Sequence, residues 1–244
     1  MTISISSFFI VALLFISTGC ATKYVIPGNR FISPESVGGV FKVQAEIQQN
    51  SSKIAAIDVS GGSTSNRLKY TDKVRTGYFF GASLMEQMDF LWYQTASSVS
   101  FLGARIQFLG GSKASKATGN KLAITAALGG NQHEIDDGDP EIKFDMGGQD
   151  YSIIHGYRFS EFIMVYESLS LTNISFDGNL KSVDPLFNGL AVDYKTKLYG
   201  FFVGTEFSYG SLMAKLELGY QIIQSTHTPD RDGIRMGYAI GYNF

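Results

Sequence analysis

The last ten residues, Arg235-Met236-Gly237-Tyr238-Ala239-Ile240-Gly241-Tyr242-Asn243-Phe244, constrain this chain more than any other stretch. Side chains of a strand alternate between its two faces. That period puts Met236, Tyr238, Ile240, Tyr242 and Phe244 on one face and Arg235, Gly237, Ala239, Gly241 and Asn243 on the other. One face is wholly apolar, and no polar tail follows it. Chain ends of soluble proteins are usually solvated and poorly ordered, so the pattern asks for an apolar surrounding at the final residue. The alternative is an ordinary sandwich edge strand that happens to come last.

The same alternation recurs upstream. Phe41, Val43, Ala45 and Ile47 interleave with Lys42, Gln44, Glu46 and Gln48; Tyr78, Phe80, Ala82 and Leu84 lead through a tight turn at Glu86-Gln87 to Phe90 and Trp92. Further apolar-faced runs are 102–108, 122–128, 151–157, 162–171, 199–207 and 212–222. The rhythm predicts eight to ten antiparallel strands, an even number in either case. Turns at 86–87, 158–160 and 209–211 are short, whereas 49–76, 130–149, 173–194 and 225–233 read as long polar loops. The region 94–120 breaks this asymmetry, with a short loop where a long one is expected and a long turn, 110–116, where a short one is. The 27 Gly and 32 Tyr plus Phe, with 5 Pro and 17% charged residues, suit many strands joined by tight turns. A net charge of -2 offers no basic footprint for nucleic acid.

The ending resembles the C-terminal assembly signal of bacterial outer-membrane β-barrels, in which a terminal aromatic follows apolar residues at every second position. Here these are Tyr238, Ile240, Tyr242 and Phe244, with Met236 before them. The resemblance implies an all-β, antiparallel, up-and-down transmembrane β-barrel in the bacterial outer membrane, with outer-membrane lipids and the barrel-assembly machinery as partners. A secreted soluble β-sandwich or lipocalin-like lipoprotein is the rival architecture.

At the other end, Phe8 to Ile16 is apolar but too short to span a bilayer as a helix. It leads into Ser17-Thr18-Gly19-Cys20, and Cys20 is the single cysteine of the chain. The arrangement resembles a lipoprotein signal peptide, in which a small residue precedes a Cys that is lipidated. It departs from that pattern at Ser17, where an aliphatic residue is usual, and in having no Lys or Arg before the apolar core. The expected organisation is a signal peptide over 1–19, a periplasmic linker or plug-like arm over 20–36 tethered to the inner leaflet through Cys20, and the barrel over 37–244.

On the alternation, Lys42, Glu46, Arg105, Glu206, Lys215 and Glu217 point inward. Both signs are present, so ion pairs are expected to bridge and close the lumen, since small barrels are filled by side chains. A narrow diffusion channel for small solutes is the alternative. The acidic stretch His133 to Glu141 suggests calcium chemistry, but it lacks EF-hand spacing and carries Pro140, so a solvated loop is the preferred reading. The histidines His133, His155 and His227, near Ser152 and Ser225, match no nucleophile motif, and no metal-binding His pair or phosphate-cradling loop occurs. The sequence thus predicts no catalytic residues, no cofactor and no metal, and a structural or surface-interaction role with an unspecified surface ligand.

Overall fold

The computed structural model describes residues 22–58, 67–95, 98–135, 141–181, 191–226 and 228–244. Its strands are β1 (Thr22–Ile26), β2 (Val43–Asp58), β3 (Arg67–Met85), β4 (Met88–Gln94), β5 (Ser100–Leu109), β6 (Gly119–Ile135), β7 (Glu141–Arg158), β8 (Ile163–Lys181), β9 (Ala191–Tyr209), β10 (Leu212–Ser225) and β11 (Thr228–Asn243). From β2 to β11 each strand pairs antiparallel with the next, and β11 returns to β2 through Gly237–Asn243 against Asn50–Gln44. The result is a closed ten-stranded up-and-down barrel. Closure gives every wall strand a partner on both sides, which a bilayer requires of any spanning sheet.

The tight turns, the 3-10 turn at Lys113–Ser115 and Phe244 share one end, called here the near end. In bacterial outer-membrane barrels the short turns are periplasmic and the opposite end faces the medium. At the far end β2, β3 and β6–β9 run on as paired strands of 16 to 19 residues, well beyond the roughly 9–11 that cross a bilayer. This corrects the long loops predicted at 49–76, 130–149 and 173–194, most of whose described residues are strand. The physical reason is that apolar alternation reports contact with lipid, whereas a ladder above the bilayer needs only backbone pairing. His133 to Ile135 accordingly ends β6, and 136–140 lie outside the described residues, as do the predicted signal peptide, Cys20 and His227.

Strand β1 is not part of the barrel ring. It pairs with the far half of β2, from Thr22 opposite Ile57 to Ile26 opposite Lys53. This edge of β2 is free because β11 leaves it after Asn50. Residues 25–37 are buried throughout, and they descend through the barrel interior to the near end before β2 begins. Of the segment expected to be a periplasmic linker or plug-like arm, β1 lies along the far half of β2 and the residues after it run through the interior, the position of an arm rather than of a periplasmic linker. An eight-stranded barrel is about filled by its own side chains, and diameter grows with strand number. Ten strands leave room for one more segment.

Candidate functional site

The arm descends rung by rung on β10 and its neighbours. Gln221 Nε2 donates to Pro27 O at 3.0 Å, Asn29 Nδ2 donates to Glu217 O at 3.1 Å, and Lys215 Nζ donates to Phe31 O at 2.6 Å. Lower down, Arg105 Nη1 donates to Ser33 O at 2.9 Å, and the hydroxyl of Ser36 donates to Glu86 O at 2.6 Å. The near-end turn closes over it, with Lys113 N donating to Ser36 O at 2.9 Å. That contact explains why the inner turn at 110–118 is long: it reaches across the mouth and sends Lys113 Nζ to within 2.8 Å of Glu206. Phe31 holds a left-handed backbone (φ 55°), costly for a bulky residue. Its ring lies over Gly237, where an added β-carbon would stand 2.7 Å from Phe31 Cζ.

Charges of both signs line this path, seven cations against six carboxylates among the described residues. The buried cations are Arg30, Arg105, Lys113, Lys121, Arg158, Lys215 and Arg235, and the buried carboxylates are Glu35, Glu46, Asp89, Asp150, Glu206 and Glu217; the seventh cation, Arg235, donates to Gln221 and reaches the exposed Asp72 at 3.4 Å. Arg30 meets Asp150 at 2.8 Å, and the same carboxylate accepts from Tyr93 Oη at 2.6 Å and Thr172 Oγ1 at 2.5 Å. Arg105 pairs with Asp89, whose oxygens also accept from Val37 N at 3.1 Å. At the near end Glu35 of the arm lies between Arg158 (Nε, 2.8 Å) and Lys121 (3.1 Å), while Arg158 also reaches Glu206 at 3.1 Å. Lys215 joins Glu46 to Glu206. Glu217 accepts from Arg30 N and from Tyr166 Oη, both at 3.1 Å. A buried charge is tolerable only when paired and hydrogen-bonded, and each arm charge has such a partner. Interleaved with these charges is one apolar and aromatic cluster that includes Phe79, Tyr93, Phe101, Tyr166 and Phe176.

Of the residues predicted to face inward, Glu46, Arg105, Glu206, Lys215 and Glu217 are buried in the interior. Lys42 is a correction: it precedes β2, follows Phe41 with its left-handed backbone (φ 62°), and is exposed at the near rim. Ser152 and His155 are not brought together, since Ser152 faces inward and bonds Thr125 at 2.5 Å whereas His155 is exposed beside Glu167 at 3.3 Å. Ser225 lies 3.3 Å from Thr196. No group of three metal-ligating side chains occurs among the described residues.

The outer face carries the complementary pattern. Met236, Tyr238, Ile240, Tyr242 and Phe244 are all exposed, as are Leu128, Leu169, Leu216 and their equivalents around the wall. Outward aromatics gather near the near end, with Tyr157 on Phe159 at 4.8 Å and Tyr242 on Phe244 at 4.8 Å. Tyr151, Tyr199 and Tyr220 stand further up the wall. A closed barrel with an apolar outer band edged by aromatics is built for lipid. The chain folds as a β-barrel of the membrane-spanning kind.

No protein-family model matches the sequence, and no curated protein matches it. Among solved structures the barrel is similar to Ail, the attachment invasion locus protein of Yersinia pestis, in complex with the heparin analogue sucrose octasulfate. That likeness has 11% identity and a TM-score of 0.40 over 84% of this chain and 100% of that one. It is also similar to the outer membrane protease OmpT from Escherichia coli, at 8% identity and TM-score 0.42 over 94% and 100%. Neisserial surface protein A follows at 11% identity and TM-score 0.35 over 83% and 95%.

Sequence reasoning missed the arm's own charges, Arg30 and Glu35, and the wall residues Asp89, Lys113, Lys121, Asp150 and Arg158. A signal existed for four of them. Asp89, Lys121, Asp150 and Arg158 each adjoin an outward apolar residue of their strand, namely Phe90, Leu122, Tyr151 and Tyr157, so parity alone turns them inward.

Proposed function

We propose that this barrel is a closed, non-catalytic membrane scaffold whose lumen is sealed by residues 27–37. Its role is structural or that of a surface-interaction protein working through its far-end strand extensions. The observation that carries the reading is the buried arm, with Arg30 on Asp150 and Glu35 on Arg158 and Lys121. Strands extended beyond the bilayer give it a presentable outer surface. The lipids of the outer membrane and the machinery that inserts barrels into it are the partners the apolar band and the terminal strand fit. The test is single-channel recording in planar bilayers. The full chain is expected to show no steady conductance, and a variant lacking residues 27–37 is expected to conduct. A steady conductance in the full chain would overturn the sealed reading.

One observation favours a narrow channel instead. Along the inward face of β2, Glu46 Oε2, Gln48 Oε1 and both polar atoms of the Asn50 side chain are buried with no protein partner, as is Asn29 Oδ1 of the arm beside them. Buried polar atoms of this kind are usually met by water. A file of water between β2 and the arm would pass solutes no larger than water or a small ion, and such a path would register as a small, Asn50-dependent conductance.

A further inference from the structure

On the lipid-facing side of β6–β10 two hollows meet. The lower, of about 650 Å³, is lined mainly by outward apolar residues that include Tyr151, Leu169, Leu171, Tyr199 and Phe201. The upper, of about 680 Å³, shares Leu171 and Tyr199 and also meets Leu128 and Ile174, but it adds the polar side chains Gln149, Asn173, Lys195 and Lys197 to its lining. The strand register shows how sharp the change is. Tyr151, Leu171, Tyr199 and Ile222 stand opposite one another across four strands, and the next outward row toward the far end is Gln149, Asn173, Lys197 and Gln224. The edge of the hydrocarbon therefore falls between the two hollows, in the leaflet remote from Phe244.

Lys195 and Lys197 are both exposed on the outward face of β9, about 7 Å apart along the strand. Lys195 reaches one carboxylate, Asp193, at 4.0 Å with both side chains more than 60% exposed, which holds it weakly. Lys197 has no carboxylate partner among the described residues. Further out, Asp145, Asp177 and Asp193 stand opposite one another across β7, β8 and β9, all exposed. An anion arriving from the medium meets that carboxylate row first and is repelled. One travelling in the plane of the membrane meets the lysines first, with an apolar hollow directly beneath them.

We propose that this face binds a phosphate-bearing lipid of the outer leaflet, its phosphate on Lys195 and Lys197 and an acyl chain in the hollow between Tyr151, Leu171 and Tyr199. The proposal rests on the reading that the barrel spans a bilayer, and the occupant is a lipid rather than free phosphate because of the carboxylate row above it. Anionic headgroups gain from each nearby Lys, and the hollow removes part of the chain from competition with bulk lipid.

The test uses the full chain in detergent, its fold checked by heat-modifiable gel mobility so that a failed barrel is distinguished from a failed site. Native mass spectrometry is run with phosphatidylglycerol, with diacylglycerol of the same chains, and with glycerol phosphate. Retention of phosphatidylglycerol is expected to fall at least about tenfold in the Lys195→Gln, Lys197→Gln double variant. It is expected to be unchanged in Lys116→Gln, an exposed lysine at the near end. Diacylglycerol is expected to bind weakly to both, and glycerol phosphate not at all. Equal phosphatidylglycerol retention by the folded wild type and the double variant would overturn the proposal. So would binding of glycerol phosphate as strong as that of the lipid.

Discussion

Replacing Asp150 with Ala tests how the arm is held. The Asp150 carboxylate accepts from Arg30 Nε at 3.0 Å and Nη2 at 2.8 Å, from the Tyr93 hydroxyl at 2.6 Å and from the Thr172 hydroxyl at 2.5 Å. Arg30 is 5% exposed and Asp150 1%, so the variant strands a guanidinium where water hardly reaches. Removing one partner of a buried pair costs about 3–5 kcal/mol. A wall residue could escape that cost only by unfolding the barrel. Arg30 belongs to the arm, and it can escape by leaving the lumen while the ten-stranded wall stays closed. The penalty then falls on docking. At about 1.4 kcal/mol per factor of ten, a loss of about 3 kcal/mol raises the undocked population about a hundredfold.

The reporter is a cysteine at the fully buried Ser33, introduced as Ser33→Cys in a Cys20→Ser background so that no other thiol is present. Asp150→Ala is expected to speed maleimide modification about a hundredfold, with heat-modifiable mobility unchanged. Arg30→Met together with Asp150→Leu is expected to restore slow modification, because an apolar pair of similar volume replaces a buried ion pair at little cost or a gain. Modification within about threefold of the parent after Asp150→Ala would refute the argument. A double variant as reactive as the single one would show that the two residues are not coupled.

Thr22→Cys in the same Cys20→Ser background is expected to react with an impermeant maleimide on intact cells, since Thr22 pairs with Ile57 at the end remote from Phe244. Reaction only after the outer membrane is permeabilised would reverse the arm, whereas surface reaction would place a lipid carried two residues earlier in the outer leaflet rather than the inner one. Lys215→Ala, which leaves Glu46 without its cation and takes one from Glu206, is expected to lower folding free energy by about 3–5 kcal/mol. Lys42→Ala is expected to leave the urea midpoint unchanged, and equal effects from the two would contradict their different burial. Gly237→Val would place its β-carbon 2.4 Å from Gln49 O and 2.7 Å from the Phe31 ring. It is expected to destabilise by about 1–3 kcal/mol, and Phe31→Ala should relieve part of that in a urea titration.

What the sequence made legible follows from where alternation has a cause. Tyr238, Ile240, Tyr242 and Phe244 face lipid and Arg235 and Ala239 face the interior, so their parity is enforced by the bilayer and is readable. Beyond the bilayer neither face is forced to be apolar. Residues 173–181 read as a polar connection although they continue β8, because Asn173, Ser175 and Asp177 put polar side chains on the outward face while the ladder to β7 and β9 persists. The interior was partly legible. Glu46, Lys215 and Glu217 lie within strands and were visible by parity, whereas Lys113 sits in a turn where parity has no anchor. The arm was the hardest, since Pro27, Gly28 and Pro34 give it no period, and its conformation is dictated by wall residues distant in sequence.

The arm also bears on how the barrel closes. It touches both sides of the final seam: Glu217 and Lys215 on β10, next to β11, hold Asn29, Arg30 and Phe31, while Gln48 on β2 donates to Arg30 O at 3.2 Å. Gly237 of β11 and Asn50 of β2, which pair at the top of the seam, both adjoin the Phe31 and Gly28 stretch. An arm that carries Arg30 and Glu35 would have to desolvate both charges to enter a lumen already sealed at the near end by Lys113. It is far less costly for the arm to lie against β2 before β11 arrives, so that each charge meets its partner as the wall forms around it. On this order the arm aligns the two strands that must join last, and losing Arg30 and Glu35 together should slow barrel closure more than it weakens the closed state. A folding time course followed by gel mobility would resolve the two effects, and unchanged closure kinetics in that double variant would exclude a guiding role.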